Sequence, residues 1–236
     1  MYSGGVIRDS LGAFATIDYD GVNNKVSLGN VDIRRVKNAE VAGHDVLFGV
    51  AINNNPAFQN PWNSGVVPGR SWPYLFSSLE PQPITRVALD GVLSMRVLGV
   101  SVYSFIDDSL YIELAGYSPI DKDHLGDLGL YEKTDHQLDG TGFYARLAKE
   151  YTLQQASFTL GAMYFDADIE APLGRPAYSV KDVAIDAFYQ RERGLHNFTV
   201  GLNLLREDIE TERGLAGGFA TDVNVELDRY SFFATY

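Results

Sequence analysis

Residues 142–169 read GFYARLAKEYTLQQASFTLGAMYFDADI, two alternating segments around a short turn. Phe143, Ala145 and Leu147 fall on one face and are answered by Phe158, Leu160, Ala162 and Tyr164. The other face carries Tyr144, Arg146 and Glu150, answered by Ser157, Thr159 and Gly161. Successive side chains of a strand point to opposite faces. The hairpin therefore has one apolar and one polar side. Such a sheet must place its apolar side against a protein core or against lipid.

The same pattern recurs along the chain. Eleven segments read as strands, at roughly 3–9, 12–20, 25–36, 45–54, 87–106, 109–118, 142–152, 156–168, 181–192, 196–207 and 222–236. Most are longer than the mean strand of a soluble domain, about 5–6 residues. They match the about 9–11 residues that a tilted membrane strand needs. Val46, Phe48, Val50 and Ile52 alternate with Leu47, Gly49, Ala51 and Asn53. Val183, Ile185 and Ala187 alternate with Asp182, Ala184 and Asp186 in the same way.

Connection lengths alternate too. Short turns at 9–11, 107–109, 153–155 and 193–195, with a somewhat longer link at 37–44, are separated by loops at 20–24, 55–86, 119–141, 169–180 and 208–221. Short turns at one end and long loops at the other are the habit of outer-membrane barrels. A Greek-key sandwich has no need of that parity. Two segments fit poorly. RVALDGVLSMRV reads as a short helix or inward-folded loop ahead of a strand beginning near Leu98. In the last segment the apolar set switches phase between Leu227 and Tyr230, as a bulge or a protruding strand end would cause.

Composition narrows the classes. With 45% hydrophobic residues, disorder is not expected. No window approaches the length of a transmembrane helix. A net charge of −12 makes nucleic acid a poor partner, because phosphate contacts need clustered Lys and Arg. The absence of cysteine excludes disulfides, thiolate metal sites, thiol catalysis and C-x-x-C-H haem attachment. The start, MYSGGVIRDS, lacks the basic and apolar regions of a signal peptide. Single-chain bacterial barrels have even strand counts. The reading is therefore an all-β, transmembrane, antiparallel up-and-down β-barrel. Residues 1–236 would form one domain, truncated at both ends, of a wall of about sixteen strands. Tyr236 as a true barrel C-terminus is the alternative.

GAFATIDYDG, NVDIRR, HDVLFGVAINNNPAFQNPWNS and YIELAGY together resemble a family of Gram-negative outer-membrane porin-like proteins, whose members are often labelled hypothetical or cytochrome-associated. The resemblance covers roughly residues 3–118, with NNNP…WN its most specific piece. It implies a longer chain with a cleaved signal peptide and no particular substrate.

No enzymatic motif is found: G-x-S-x-G, H-E-x-x-H and the P-loop are all missing. No catalytic residue and no cofactor are therefore expected. Asp121, Asp123, Asp127 and Glu132 take calcium-loop positions in DKDHLGDLGLYE, but Leu125 occupies a ligand position and the flanks read as strands. A plain acidic loop is the better reading. Asp166, Asp168 and Glu170, and Glu207, Asp208, Glu210 and Glu212, read as solvated charges where strands leave the membrane.

The inward charges carry the functional expectation. Asp32, Arg34, Arg146, Glu150, Asp182 and Asp186 fall on polar faces. In an open barrel they would bias ion passage; in a plugged one they would merely pair. The loop 55–86 holds six prolines and both tryptophans, and is expected to fold into the mouth as a constriction, with Trp62, Arg70, Trp72 and Tyr74 as its candidate residues. The chain thus reads as an outer-membrane channel for passive passage of small solutes or ions. One alternative is a barrel that sheathes or docks a c-type cytochrome. The other is a soluble or secreted β adhesin or carbohydrate-binding protein.

Overall fold

A computed structural model describes residues 1–56, 87–130, 136–171, 175–194, 196–211 and 223–235. The strands are β1 (Tyr2–Arg8), β2 (Leu11–Asp20), β3 (Lys25–Val41), β4 (His44–Asn53), β5 (Val97–Ile106), β6 (Leu110–Pro119), β7 (Gln137–Leu153), β8 (Ala156–Glu170), β9 (Tyr178–Arg193), β10 (His196–Glu210) and β11 (Asn224–Thr235). Two short helices interrupt them, α1 (Ala88–Gly91) and α2 (Lys122–Asp127). The strands form one 11-stranded sheet in sequence order, every neighbouring pair antiparallel. β1 and β11 are its edges and do not pair with each other, so the described sheet is open.

The two faces differ as the alternation requires. On β4, Phe48, Val50 and Ile52 are 47, 48 and 45% exposed while Ala51 between them is 1% exposed. Leu98, Val100 and Val102 of β5, Leu114 of β6, Leu147 of β7, Leu160 of β8, Ile185 of β9 and Leu202 of β10 continue this outward apolar band. Aromatic pairs lie along its borders. Phe143 and Tyr164 meet at 6.4 Å toward the long loops. Tyr151 with Phe158, and Tyr189 with Phe198, meet at 6.4 Å toward the short turns. Phe143 and Tyr151 are eight residues apart on β7, about 27 Å along the strand at about 3.4 Å per residue.

The concave face has two zones. Toward the long loops, Val97, Tyr117, Phe165, Ile169, Val180 and Leu205 form an apolar cluster on which Val87, Leu89 and Leu93 of the α1 segment are buried. The stretch before β5 thus holds a short helix, one of the two alternatives read from the sequence, and it also folds inward as the other supposes. Nearer the short turns the wall becomes polar and charged. This zoning explains the phase switch in β11. Its register with β10 runs unbroken from Asn224 to Thr235, so there is no bulge. Leu227, opposite Glu207, packs on the inner cluster, whereas Tyr230 and Phe232 face outward beside Leu204 and Leu202.

Strand ends depart most from expectation. The link at 37–44 is a two-residue turn, Ala42–Gly43, with both φ values positive as a type I′ hairpin requires. Lys37, Asn38 and Glu40 are polar on both faces, so alternation is invisible where the strand runs past the apolar band. The α2 segment runs from β6 back to β3, past two intervening strands. The Leu28 N–H donates to the Leu128 carbonyl at 3.0 Å. Gly129 beside it has φ +73, and a Cβ there would sit 2.4 Å from the Val26 carbonyl oxygen.

At the turn end, Asp107 staples two hairpins: its carboxylate lies 2.7 Å from His44 Nδ1 and accepts the Asp45 N–H at 3.1 Å. The His44 hydrogen bond holds the Asp107 carboxyl below the usual carboxylate range. A depressed folded value means the contact stabilises the fold above the ordinary aspartate value, about 3.9, and loses that effect as pH falls through the folded value. In a carboxyl-carbon NMR titration the Asp107 midpoint is expected below about 3.9, and His44→Ala is expected to raise it. An unchanged midpoint would remove the staple.

Inner-wall packing gives a second prediction. Tyr103 lies opposite Gly49, and a Cβ on Gly49 would stand 2.0 Å from the Tyr103 ring. Gly49→Ala is expected to cost about 1–3 kcal/mol by overpacking, read from the urea midpoint in detergent. In a Tyr103→Ser background the cost should nearly vanish; an equal cost in both backgrounds would refute the packing argument.

Candidate functional site on the concave face

The period of two brings one residue in two of each strand to the concave wall. There Arg146 of β7 reaches across β8 to Asp186 of β9. Its Nη1 and Nη2 donate to the two carboxylate oxygens, both at 2.8 Å, and the side chains are 0 and 1% exposed. What lies between them is Gly161, where a Cβ would be 2.4 Å from Asp186 Oδ2 and 2.7 Å from Arg146 Nη2. The glycine makes room for the bidentate pair, the strongest geometry available to these groups.

A second pair sits on β3, where Arg34 Nε and Nη2 donate to the Asp32 oxygens at 2.7 and 2.8 Å. The Arg34 guanidinium lies 5.7 Å from the Tyr103 ring centre, within cation–π reach. Tyr103 in turn is 5.8 Å from Tyr111, whose hydroxyl donates to Glu113 Oε2 at 2.7 Å. A polar belt thus runs along the wall from β3 to β9. Two of its buried atoms, Arg146 Nε and Thr159 Oγ1, have no hydrogen-bonding partner among the described residues. Buried polar atoms left in that state call for water or an ion.

Closer to the long loops, Asp182 of β9 lies opposite Glu207 of β10, both buried. Glu207 Oε2 accepts the Ala88 N–H at 2.6 Å, which moors the start of α1 to the wall. The two carboxyls interact directly through a side-chain hydrogen bond. The asparagine run makes a further mooring. Asn54 Oδ1 accepts the Val31 N–H at 2.7 Å and its Nδ2 donates to the Gly29 carbonyl at 2.8 Å. Asn55 Nδ2 donates to Asn30 Oδ1 at 2.6 Å and to Ser94 Oγ at 3.0 Å. Asn54 and Asn55 therefore fasten the exit of β4 to β3 and to the chain entering β5.

Of the charges expected to line the interior, the structure brings Arg146 to Asp186 and Asp32 to Arg34. Asp182 faces Glu207 instead, and Glu150 lies near the turn end, partly buried, its N–H donating to the Ser109 carbonyl at 2.7 Å. Glu207 was expected at the solvated rim with Asp208 and Glu210. It is buried because odd-numbered residues of β10 point inward, while Asp208 and Glu210 are exposed. Glu212 lies outside the described residues, as do Trp62, Arg70, Trp72 and Tyr74 of the long loop. Asp121 is the N-cap of α2, its side chain accepting the Asp123 N–H, and Leu125 is buried beneath. The segment is a capped helical turn rather than an extended ligand loop; Glu132 lies outside the described residues. Among the described residues no group of three or more potential ligands could hold a metal.

Tyr103, Tyr111, Glu113, Gly161 and the asparagine moorings were not singled out as site residues. Parity alone would have found Tyr111 and Glu113. Gly161 needed the registers of β7, β8 and β9 together. No family model, curated protein or solved structure matches the chain.

Asp186→Ala would leave Arg146 buried without its partner, at an expected cost of about 3–5 kcal/mol. The double variant Arg146→Met, Asp186→Leu should recover most of it, since an apolar pair needs no compensation. Urea unfolding in detergent measures both. A loss below about 1 kcal/mol in Asp186→Ala, the size of a solvated surface pair, would show that Arg146 is not desolvated.

Proposed function

We propose that the chain is part of the wall of an outer-membrane β-barrel channel for passive passage of small solutes or ions. The outward apolar band carries this reading. It runs across seven neighbouring strands, β4 to β10, as one exposed apolar face, and large contiguous apolar patches mark contact with a partner or a membrane. Its height suits lipid: about 27 Å of strand tilted by about 40° spans about 21 Å, near the about 25 Å band of such barrels. The bordering Phe143–Tyr164 and Tyr151–Phe158 pairs take the place of interfacial girdles. The parity of short turns and long loops, and the porin-like segments such as GAFATIDYDG, agree with it. Antiparallel closure would join the open edges β1 and β11 through further strands, in a barrel of about sixteen.

The concave belt would face the channel. Arg146–Asp186 and Asp32–Arg34 neutralise one another, so they shape the wall rather than select. Asp182, which faces a second acid in Glu207 rather than a base, would favour cations over anions. The band speaks against a soluble adhesin, which would have to expose it to water.

The chain has no cysteine, so single-cysteine labelling is clean. A fluorophore at Leu147→Cys or Ile185→Cys is expected to be quenched by quenchers carried on lipid chains, and one at Ala148→Cys or Ala184→Cys is not. Equal quenching at both parities, or a monodisperse soluble monomer without detergent, would overturn the wall. Vesicles holding the inserted protein should release small cations faster than anions of similar size. Insertion without release would leave a wall that does not conduct.

A further inference from the structure

The outward face near the short turns carries charge opposite to that of the whole chain, whose net charge is −12. Arg35 of β3 lies opposite Leu11 of β2, which lies opposite Arg8 of β1. Lys37 follows two residues after Arg35 on the same face. All three basic residues are exposed. No ion pair of theirs is formed among the described residues, unlike Arg206 at the far end, which meets Asp228 at 2.8 Å.

Beside them opens a groove of about 350 Å³. Ser10, Arg35 and Lys37 stand at its polar rim, and Phe48, Val50 and Val102 supply apolar lining. Free phosphate would use only the cations. A soluble apolar ligand would leave Arg35 and Lys37 without a counterion. An amphiphile with an anionic head and an acyl chain uses both halves. The cations also sit at the turn end, the periplasmic side of such barrels, where long basic side chains meet the headgroup layer.

We propose that this groove binds an anionic glycerophospholipid, its phosphate held by Arg35 and Lys37 and one acyl chain lying along Phe48, Val50 and Val102. The site rests on the membrane-wall reading and adds to it a specific lipid partner on one side. It makes the lipid contact of β3 to β5 a bound contact rather than bulk solvation.

The protein is reconstituted in phosphatidylcholine vesicles with or without phosphatidylglycerol, extracted in mild detergent, and its retained lipid counted by native mass spectrometry. Wild type is expected to retain phosphatidylglycerol preferentially, with Arg35→Gln and Lys37→Gln each lowering the preference about fivefold. Lys181→Gln, an outward cation at the opposite end, should leave it unchanged. Phe48→Ser should lower retention of phosphatidylglycerol while leaving the response to salt intact, because it removes acyl contact alone. Equal retention of the two lipids by wild type, or equal loss from Lys181→Gln, overturns the site. The quenching readout at Ile185→Cys separates the two claims. A protein that inserts without headgroup preference refutes only the lipid site, whereas one that does not insert refutes the wall and the site together.

Discussion

Everything in this fold hangs on the unbroken antiparallel ladder. Backbone N–H and C=O groups must be paired wherever water is excluded. Ten consecutive strand pairings do this with only a few local register shifts, in β1–β2, β2–β3 and β7–β8. Once the ladder is in place, the period of two separates the side chains without further instruction. Phe48, Val50 and Ile52 go one way, Gly49, Ala51 and Asn53 the other. A slip of one residue would exchange the sets, which is why the sheet tolerates so little irregularity along its middle.

The concave wall depends on pairing large side chains with none. Tyr103 stands over Gly49, Tyr117 over Gly99, and the Arg146–Asp186 pair over Gly161. Each glycine lets a neighbour lie along the wall, so bulky polar groups are accommodated in a curved sheet without being forced apart. Two moorings complete the interior. Glu207 holds the first N–H of the α1 segment, and Asn54 and Asn55 tie the end of β4 to β3. Both act on the chain flanking the long insertion between β4 and β5, whose described ends, up to Pro56 and from Val87, are buried. The wall and its inner segment are therefore one packed unit at the loop end.

Much of the architecture was legible. Where one face is apolar and the other polar, alternation identified the strands, and all eleven are present. It failed at the hairpin arms, where Lys37, Asn38 and Glu40 are polar on both sides, and in β11, where the apolar medium changes from the inner cluster to the outer face within one strand. The candidate site was legible as a set of inward charges and illegible as a set of partners. Nothing in the spacing of Arg146 and Asp186 announces that they meet, since they are forty residues apart and a third strand lies between them. Glu207 was misplaced for a related reason: it sits in a run of acids, and only parity distinguishes it from Asp208.

The amino-acid order by itself determined the strand number, the sidedness of each strand and the parity of short and long connections, because these follow from local periodicity and turn chemistry. Tertiary structure decided which inward charges neutralise one another, which glycines are needed, that the stretch before β5 folds onto the wall, and that Arg8, Arg35 and Lys37 gather beside an apolar groove. Those outcomes depend on register between strands, and register is settled by long-range pairing that no window of sequence contains.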